Sequence, residues 1–139
     1  MFLGNSFGKT VDVMQRLMDV SVLRQDVIAN NIANADTPNF KASYIDFESS
    51  LKAALDSEKQ RSTFRPWLTN SRDIPFNQSI DYRTVMPRKY LDWQTTTQNN
   101  GNNVDIEEQA MLQLNNQLSY TLMSQSVRDM FNNVNIVLR

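Results

Sequence analysis

The sequence predicts a mainly α protein, with one long amphipathic helix at each end and an irregular middle segment that has room for short β-strands. Two observations predict this fold class. Apolar residues recur at three- and four-residue steps within residues 9–34 and 105–139, which is the spacing of one face of an α-helix. Three of the four prolines fall within residues 66–87, which excludes long helices there.

The first helix is predicted from Lys9 to Asn34, which corresponds to a length of about 39 Å. Its end is predicted because Pro38 disfavours the α conformation at Thr37, while Asn34 or Asn39 can adopt a left-handed backbone at low cost. Its apolar stripe consists of Val13, Met14, Leu17, Met18, Val20, Val27, Ile28 and Ile32.

The last helix is predicted to follow Asp105, which is a favourable N-cap residue. Glu107 and Glu108 place negative charge in its first turn, where the helix dipole favours it. Its apolar positions are Met111, Leu114, Leu118, Tyr120, Leu122, Met123, Val127, Met130, Val134 and Val137. The helix would reach about 50 Å.

The middle of the chain gives weaker signals. A short helix is predicted around residues 47–55, and short strands at 79–82 and 83–86 would form a hairpin. The Asn-Asn-Gly-Asn-Asn run at 99–103 predicts a surface turn. We therefore divide the chain into an N-terminal axial helix and turn, a middle segment and a C-terminal axial helix, with the two end helices forming one discontinuous domain. The three parts are residues 1–42, 43–103 and 104–139.

The apolar stripes of the first and last helices can bury each other along only one line of contact. The stripe around Leu118, Tyr120, Leu122, Met123 and Val127 is too broad for a single partner helix, so the pattern predicts association with other chains. The alternative is a compact helical bundle that the middle segment closes.

Enzymatic chemistry is disfavoured by composition. The chain has no His, which removes the commonest general base and the commonest transition-metal ligand, and no Cys, which excludes thiolate chemistry. The acidic pairs Asp46–Glu48 and Glu107–Glu108 are explained by a solvated face and by charge at a helix start. We predict no catalytic, metal-binding or cofactor-binding residues, no cofactor and no small-molecule substrate.

Nucleic-acid binding is also disfavoured. The formal charge is −1 and no basic stripe is present, although aromatic and arginine residues alternate between 61 and 93. Packing is the favoured role of these aromatic residues. They are Phe64, Trp67, Phe76, Tyr82, Tyr90 and Trp93. The first residues lack the pattern of a cleaved secretory signal, and no apolar run is long enough for a membrane span.

The segment ANNIANADTPNFKA, residues 29–42, resembles the N-terminal signature of the bacterial flagellar axial proteins, A-N-N-x-A-N-x-x-T-P-G-[YF]-K. The matching residues are Ala29, Asn30, Asn31, Ala33, Asn34, Thr37, Pro38, Phe40 and Lys41. Asn39 replaces the usual glycine and should still support the turn. The segment NGNNVDIEEQ is similar to the start of that family's C-terminal helix. Within the family, the chain is most like the proximal members of the basal-body rod.

The resemblance implies a structural rod subunit without catalytic activity, whose end helices pair as a coiled coil and stack into a tube. It implies flagellar type III export without signal cleavage, a periplasmic location in the basal body, and contacts with itself, other rod proteins, a rod-base adaptor, the membrane ring and the export gate. The alternative function is a soluble helical adaptor or export chaperone. The residues predicted to carry the assembly packing are Leu17, Val20, Val27, Leu118, Leu122, Val127 and Val134.

The asparagine density of the signature exceeds what ending a helix requires. We hypothesise that Asn30 and Asn31 bind the backbone of neighbouring subunits.

Overall fold

The computed structural model describes residues 5–63, 70, 72, 79–96 and 99–138, with residues 60–63 described by their backbone alone. The elements are α1 (Ser6–Ala33), β1 (Ser43–Asp46), α2 (Glu48–Thr63), β2 (Arg88–Leu91) and α3 (Ile106–Val137), with a 3₁₀ turn at Tyr82–Thr84. The chain forms two compact units, one of Met1–Ile45 with Tyr90–Arg139 and the other of Asp46–Lys89.

Both long helices begin at side chains that cap their free backbone N–H groups. The Asn5 Oδ1 accepts a hydrogen bond from the Ser6 N–H at 2.8 Å, so α1 begins three residues before the predicted start at Lys9. The Asp105 carboxylate accepts from the Glu107 and Glu108 N–H groups at 2.9 and 3.4 Å. The predicted N-cap of the last helix is therefore confirmed.

Helices α1 and α3 pack against each other in antiparallel orientation. Near the start of α1, the Phe7 ring meets the Phe131 ring edge-to-face, with centroids 5.7 Å apart. Near the end of α1, the Asn31 amide donates to the Gln109 Oε1 in the first turns of α3 at 3.1 Å. At 28 and 32 residues, the helices are about 42 and 48 Å long. The predicted pairing of the two end helices is confirmed.

The short strands lie elsewhere than predicted. β1 pairs with β2, and the Asp92 N–H just after β2 donates to the Ala42 carbonyl just before β1 at 2.9 Å, so the strands are antiparallel. The predicted strands at 79–82 and 83–86 are wrong. Asp81 forms a tight turn there, because its side chain accepts from the Arg83 N–H at 2.9 Å and its carbonyl accepts from the Thr84 N–H at 3.0 Å.

Within its described residues, the unit formed by Asp46–Lys89 contains four buried apolar side chains. They are Phe47, Leu51, Ala54 and Tyr82. The Ser57 hydroxyl accepts from the Ile80 N–H at 3.0 Å, which links α2 to the segment that enters the 3₁₀ turn. Helix α2 extends well past residue 55, the predicted end, because no proline or glycine interrupts it before residue 63.

Candidate functional site

The signature segment forms a tight turn between α1 and β1. Asn39 adopts φ +59°, and its N–H donates to the Asn100 carbonyl at 3.1 Å. The predicted left-handed backbone at Asn39 is confirmed, whereas Asn34, at φ −109°, does not adopt it. Gly101 faces this turn with φ +79°, and a Cβ atom there would lie 2.7 Å from the Asn39 Oδ1. Only glycine fits this close approach without strain.

Asn102 holds the turn through its side chain. This side chain is fully buried, and its Nδ2 lies 2.9, 2.8 and 2.9 Å from the carbonyl oxygens of Asn34, Ala35 and Thr37. Its Oδ1 accepts from the Val104 N–H at 2.7 Å. One amide therefore binds three carbonyls of the turn that follows α1, two of which also accept the Thr37 and Phe40 N–H groups.

Asn103 performs the same function at the sheet. Its Oδ1 accepts from the Ala42 N–H at 2.7 Å, and its Nδ2 donates to the Asp92 carbonyl at 2.8 Å and to the Thr95 hydroxyl at 3.1 Å. Because Ala42 precedes β1 and Asp92 follows β2, this side chain joins the ends of both strands.

Asn31 is the third asparagine whose buried side-chain amide binds the backbone around the turn. Its amide donates to the Ser43 carbonyl at 2.8 Å and accepts from the Ser43 N–H at 3.0 Å, as a neighbouring strand would. Its Nδ2 also donates to the Gln109 Oε1. We call the side-chain amides of Asn31, Asn102 and Asn103 the amide clasp. The hypothesis that Asn31 binds a neighbouring subunit's backbone is wrong, because these polar atoms are used within the chain.

The other signature residues divide by exposure. Asn34 is partly buried and donates to the Asn30 carbonyl at 2.8 Å, and Lys41 donates to the Thr95 carbonyl at 3.2 Å. Phe40 packs against the buried cluster of Ala35, Ala42 and Val104. The side chains left exposed are Ala29, Asn30, Ala33, Thr37 and Pro38.

The face of α3 that packs on α1 carries buried amides. Gln109 and Asn116 are the buried residues of α3, and they lie two helical turns apart. The Asn116 Nδ2 donates to the Ser21 carbonyl at 2.8 Å and to the Gln25 Oε1 at 3.2 Å. The inner face of α3, defined by Gln109 and Asn116, thus includes side-chain hydrogen bonds to α1.

The opposite face of α3 is apolar and exposed. Met111, Leu114, Leu118 and Leu122 are each more than half exposed. At 100° per residue they fall within an arc of about 80°, which is turned away from the inner face. We call these four residues the outer stripe. Contiguous exposed apolar surface of this kind marks a site of association.

The predicted assembly residues are therefore spread over both surfaces. Val20 is buried within the single chain, and Leu118 and Leu122 belong to the outer stripe. The other four are partly buried, and they are Leu17, Val27, Val127 and Val134.

Sequence reasoning missed Asn102, Asn103, Gln109 and Asn116. The run at 99–103 was interpreted as a surface turn, although two of its asparagines are buried. One signal was available for α3, since Gln109 and Asn116 are seven residues apart and interrupt the apolar pattern at equivalent helical positions.

Other kinds of site find little support within the described part of the chain. It holds no group of three acidic, His or Cys residues that could bind a metal ion. None of its helices combines the length and the apolar character needed to cross a membrane. Tyr82 is buried under an Arg83 guanidinium 5.6 Å from its ring centroid, whereas Tyr90 and Trp93 are exposed. Phe64, Trp67 and Phe76 lie outside the described residues.

A comparison with protein families indicates the class of protein to which the chain is similar. The family model of the flagella basal body rod protein matches residues 22–41, which contain the last twelve residues of α1 and most of the signature turn.

Full-length relatives define the particular family. The flagellar basal body rod protein FlgB of Borreliella burgdorferi is 40% identical over 97% of this chain and 99% of its own length. The FlgB proteins of Bacillus subtilis and Escherichia coli are each 30% identical, over 95% and 85% of this chain and 95% and 87% of their own lengths. The chain belongs to the FlgB family of flagellar basal body rod proteins. These comparisons give no support to the adaptor or chaperone alternative.

Proposed function

We propose that the chain is a subunit of the proximal rod that assembles by burying the outer stripe of α3 against neighbouring subunits. The observation that carries this proposal is the exposure of Met111, Leu114, Leu118 and Leu122 along one side of a helix whose other side already packs on α1. Burying a leucine side chain contributes about 1.5–3 kcal/mol, so four such residues repeated between copies form a substantial contact. A contact between different surfaces of identical subunits builds an open helical filament when its rotation does not close into a ring, which suits a rod.

In this proposal the amide clasp and the outer stripe have separate roles. The clasp fixes the turn between α1 and β1 and sets how α1 lies along α3, so that each subunit presents the same rigid surface. Residues 1–42 and 104–139 then act as one axial domain, and residues 43–103 pack laterally. The role is mechanical, without catalysis, and the chain's lack of His and Cys agrees with that.

The proposed partners are other rod proteins, the rod-base adaptor, the membrane ring and the export gate. The proposed location is the periplasmic part of the basal body, reached by type III export without cleavage of a signal peptide. The names of the relatives support a basal-body location, and the resemblance of the signature segment supports the remaining details.

Deletion of the gene, followed by electron microscopy of purified basal bodies, tests the proposal. We expect cells that retain the membrane ring but lack the rod above it, and a plasmid copy of the gene should restore the rod. Intact, rotating flagella in the deletion strain would contradict the proposal.

A further inference from the structure

A shallow recess lies where β2 ends and α3 begins. It has a volume of about 490 Å³. Its aromatic wall is formed by Tyr44 and Tyr90, whose ring centroids are 5.8 Å apart with an angle of 31° between the planes. Trp93 lines the same recess and is 71% exposed. Large aromatic side chains exposed around a concavity are typical of contact sites between proteins.

The recess also carries two carboxylates. The Asp92 side chain accepts from the Thr95 hydroxyl at 2.7 Å and from the Gln94 N–H at 2.9 Å. The Thr95 hydrogen bond lowers the pKa of Asp92, the Gln94 hydrogen bond lowers it further, and Lys41 contributes a smaller attraction, so this carboxylate is ionised at neutral pH. Glu108 lines the recess from the first turn of α3.

The electrostatic environment of Tyr44 shows the sign of the field in the recess. Burial raises the pKa of its hydroxyl, and the Glu108 and Asp92 carboxylates raise the pKa further, whereas an interaction with the Gln109 amide opposes the rise. Lys41, the nearby cation, donates to the Thr95 carbonyl. The recess thus combines aromatic faces with two carboxylates, and the nearby Lys41 already has the Thr95 carbonyl as a partner.

We propose that this acid–aromatic recess, formed by Tyr44, Tyr90, Asp92, Trp93 and Glu108, binds an arginine side chain that another protein chain presents. A guanidinium is planar, stacks on aromatic rings and donates two parallel hydrogen bonds to a carboxylate. A lysine ammonium lacks the planar face and the fork of donors. A polypeptide is the expected carrier, because exposed Trp93 and Leu91 offer apolar area beyond what one guanidinium covers.

This inference is independent of the packing proposed for the outer stripe, since the two surfaces share no residue. The recess can therefore fail its test while the outer stripe passes its own.

Fluorescence titration of the full chain tests the proposal. A Trp67→Phe background leaves Trp93 as the single tryptophan reporter. The probes are the blocked peptide Gly-Ser-Arg-Ser-Gly and two matched peptides, one with citrulline, which keeps the shape of arginine without its charge, and one with lysine. We expect the dissociation constant of the arginine peptide to be at least tenfold lower than that of the citrulline peptide, and severalfold lower than that of the lysine peptide.

Two substitutions locate the binding site. Glu108→Gln is expected to weaken binding of the arginine peptide about threefold to tenfold, whereas Glu107→Gln removes the same charge from the adjacent residue, outside the recess lining, and should change it less than twofold. Circular dichroism checks that both variants remain folded. Equal binding of the arginine and citrulline peptides, no binding of either, or unchanged binding in Glu108→Gln would overturn the proposal.

Discussion

Along residues 109–122, the two faces of α3 depart from the usual arrangement of an amphipathic helix, whereas the partly buried residues Val127 and Val134 follow further along it. Its inner face, against α1, buries the amides of Gln109 and Asn116, while its outer stripe exposes four large apolar side chains. A surface helix of a globular protein normally turns its apolar stripe towards the core and its polar residues towards water. This difference in chemistry suits the inner face to positioning α1 and the outer stripe to contact with other chains.

Buried hydrogen bonds specify geometry more than they add stability. A typical hydrogen bond contributes about 0.5–1.5 kcal/mol net, and a polar residue at a helix interface selects one register at some cost in stability. Exposed apolar side chains, in contrast, contribute only when a partner covers them. If the outer stripe is the assembly surface that we propose, hydrogen bonds set the packing of α3 on α1 within the chain, and neighbouring subunits add hydrophobic burial.

The largest loss of folding stability is expected from a substitution in the amide clasp. Asn102→Leu removes the donor for the carbonyls of Asn34, Ala35 and Thr37 and the acceptor for the Val104 N–H. The Asn34 and Thr37 carbonyls keep the Thr37 and Phe40 N–H groups as donors, so the cost comes mainly from the Ala35 carbonyl and the Val104 N–H. The free energy of unfolding should fall by about 3 kcal/mol. Thermal or urea unfolding of the purified chain measures this loss. Asn99→Leu, in the same exposed turn, is the control, and an equal loss there would remove the special role of Asn102.

A second prediction separates the two adjacent asparagines of the signature. Asn31→Ala removes three buried hydrogen bonds and should lower the free energy of unfolding by about 2 kcal/mol. Asn30→Ala changes an exposed side chain and should stay within about 0.5 kcal/mol. Urea unfolding compares the two variants directly. Equal losses of unfolding free energy in the two variants would mean that the amide clasp does not explain the asparagines of the signature segment.

A third, smaller loss of folding stability is expected where Gly101 lies against Asn39. Gly101→Ala places a Cβ atom against the Asn39 Oδ1 and strains a backbone at φ +79°, which should lower the free energy of unfolding by about 1–2 kcal/mol. Adding Asn39→Gly removes that side chain, so the double variant should recover part of the loss. A double-mutant cycle by thermal unfolding measures the coupling, and strictly additive effects would argue against the contact.

The smallest change in stability, and the most informative one about the inner face, is expected at Asn116. Asn116→Leu should change the free energy of unfolding by less than about 1 kcal/mol, because lost hydrogen bonds are offset by apolar burial. The register of α1 on α3 should become less well defined, since the bonds to Ser21 and Gln25 are lost.

Spin labels on cysteines introduced at the exposed positions Asp19 and Gln117 measure this register in a chain that has no cysteine of its own. We expect a broader distance distribution in Asn116→Leu than in the parent. Asn115→Leu, on an exposed neighbouring position, should keep the narrow distribution. A narrow distribution in both would show that Asn116 does not set the register.

The sequence predicted much of the fold because local physics determines those parts. Helical periodicity located both long helices, Asp105 marked the start of α3, and the left-handed tolerance of asparagine explained Asn39. The strands were placed wrongly because four-residue strands carry almost no periodicity, and Asp81 favours a turn where a strand was expected. Asn102 and Asn103 were missed because their hydrogen bonds to the signature segment join residues separated by 61–68 positions, which no local pattern reveals.

The proposal that the outer stripe carries assembly can be tested by placing a charge within it. Leu118→Asp places a charge in the middle of this stripe, on a side chain that is 53% exposed in the single chain. Ser119→Asp adds the same charge at the next residue, outside the stripe. Each variant is purified for thermal unfolding and also expressed in place of the native gene, with basal bodies imaged by electron microscopy.

We expect both purified variants to unfold within about 0.5 kcal/mol of the parent chain, since surface substitutions change folding stability little. We expect only Leu118→Asp cells to lack a complete rod, with the variant protein still exported. Complete rods and motile flagella in Leu118→Asp cells would contradict the claim that the outer stripe carries assembly.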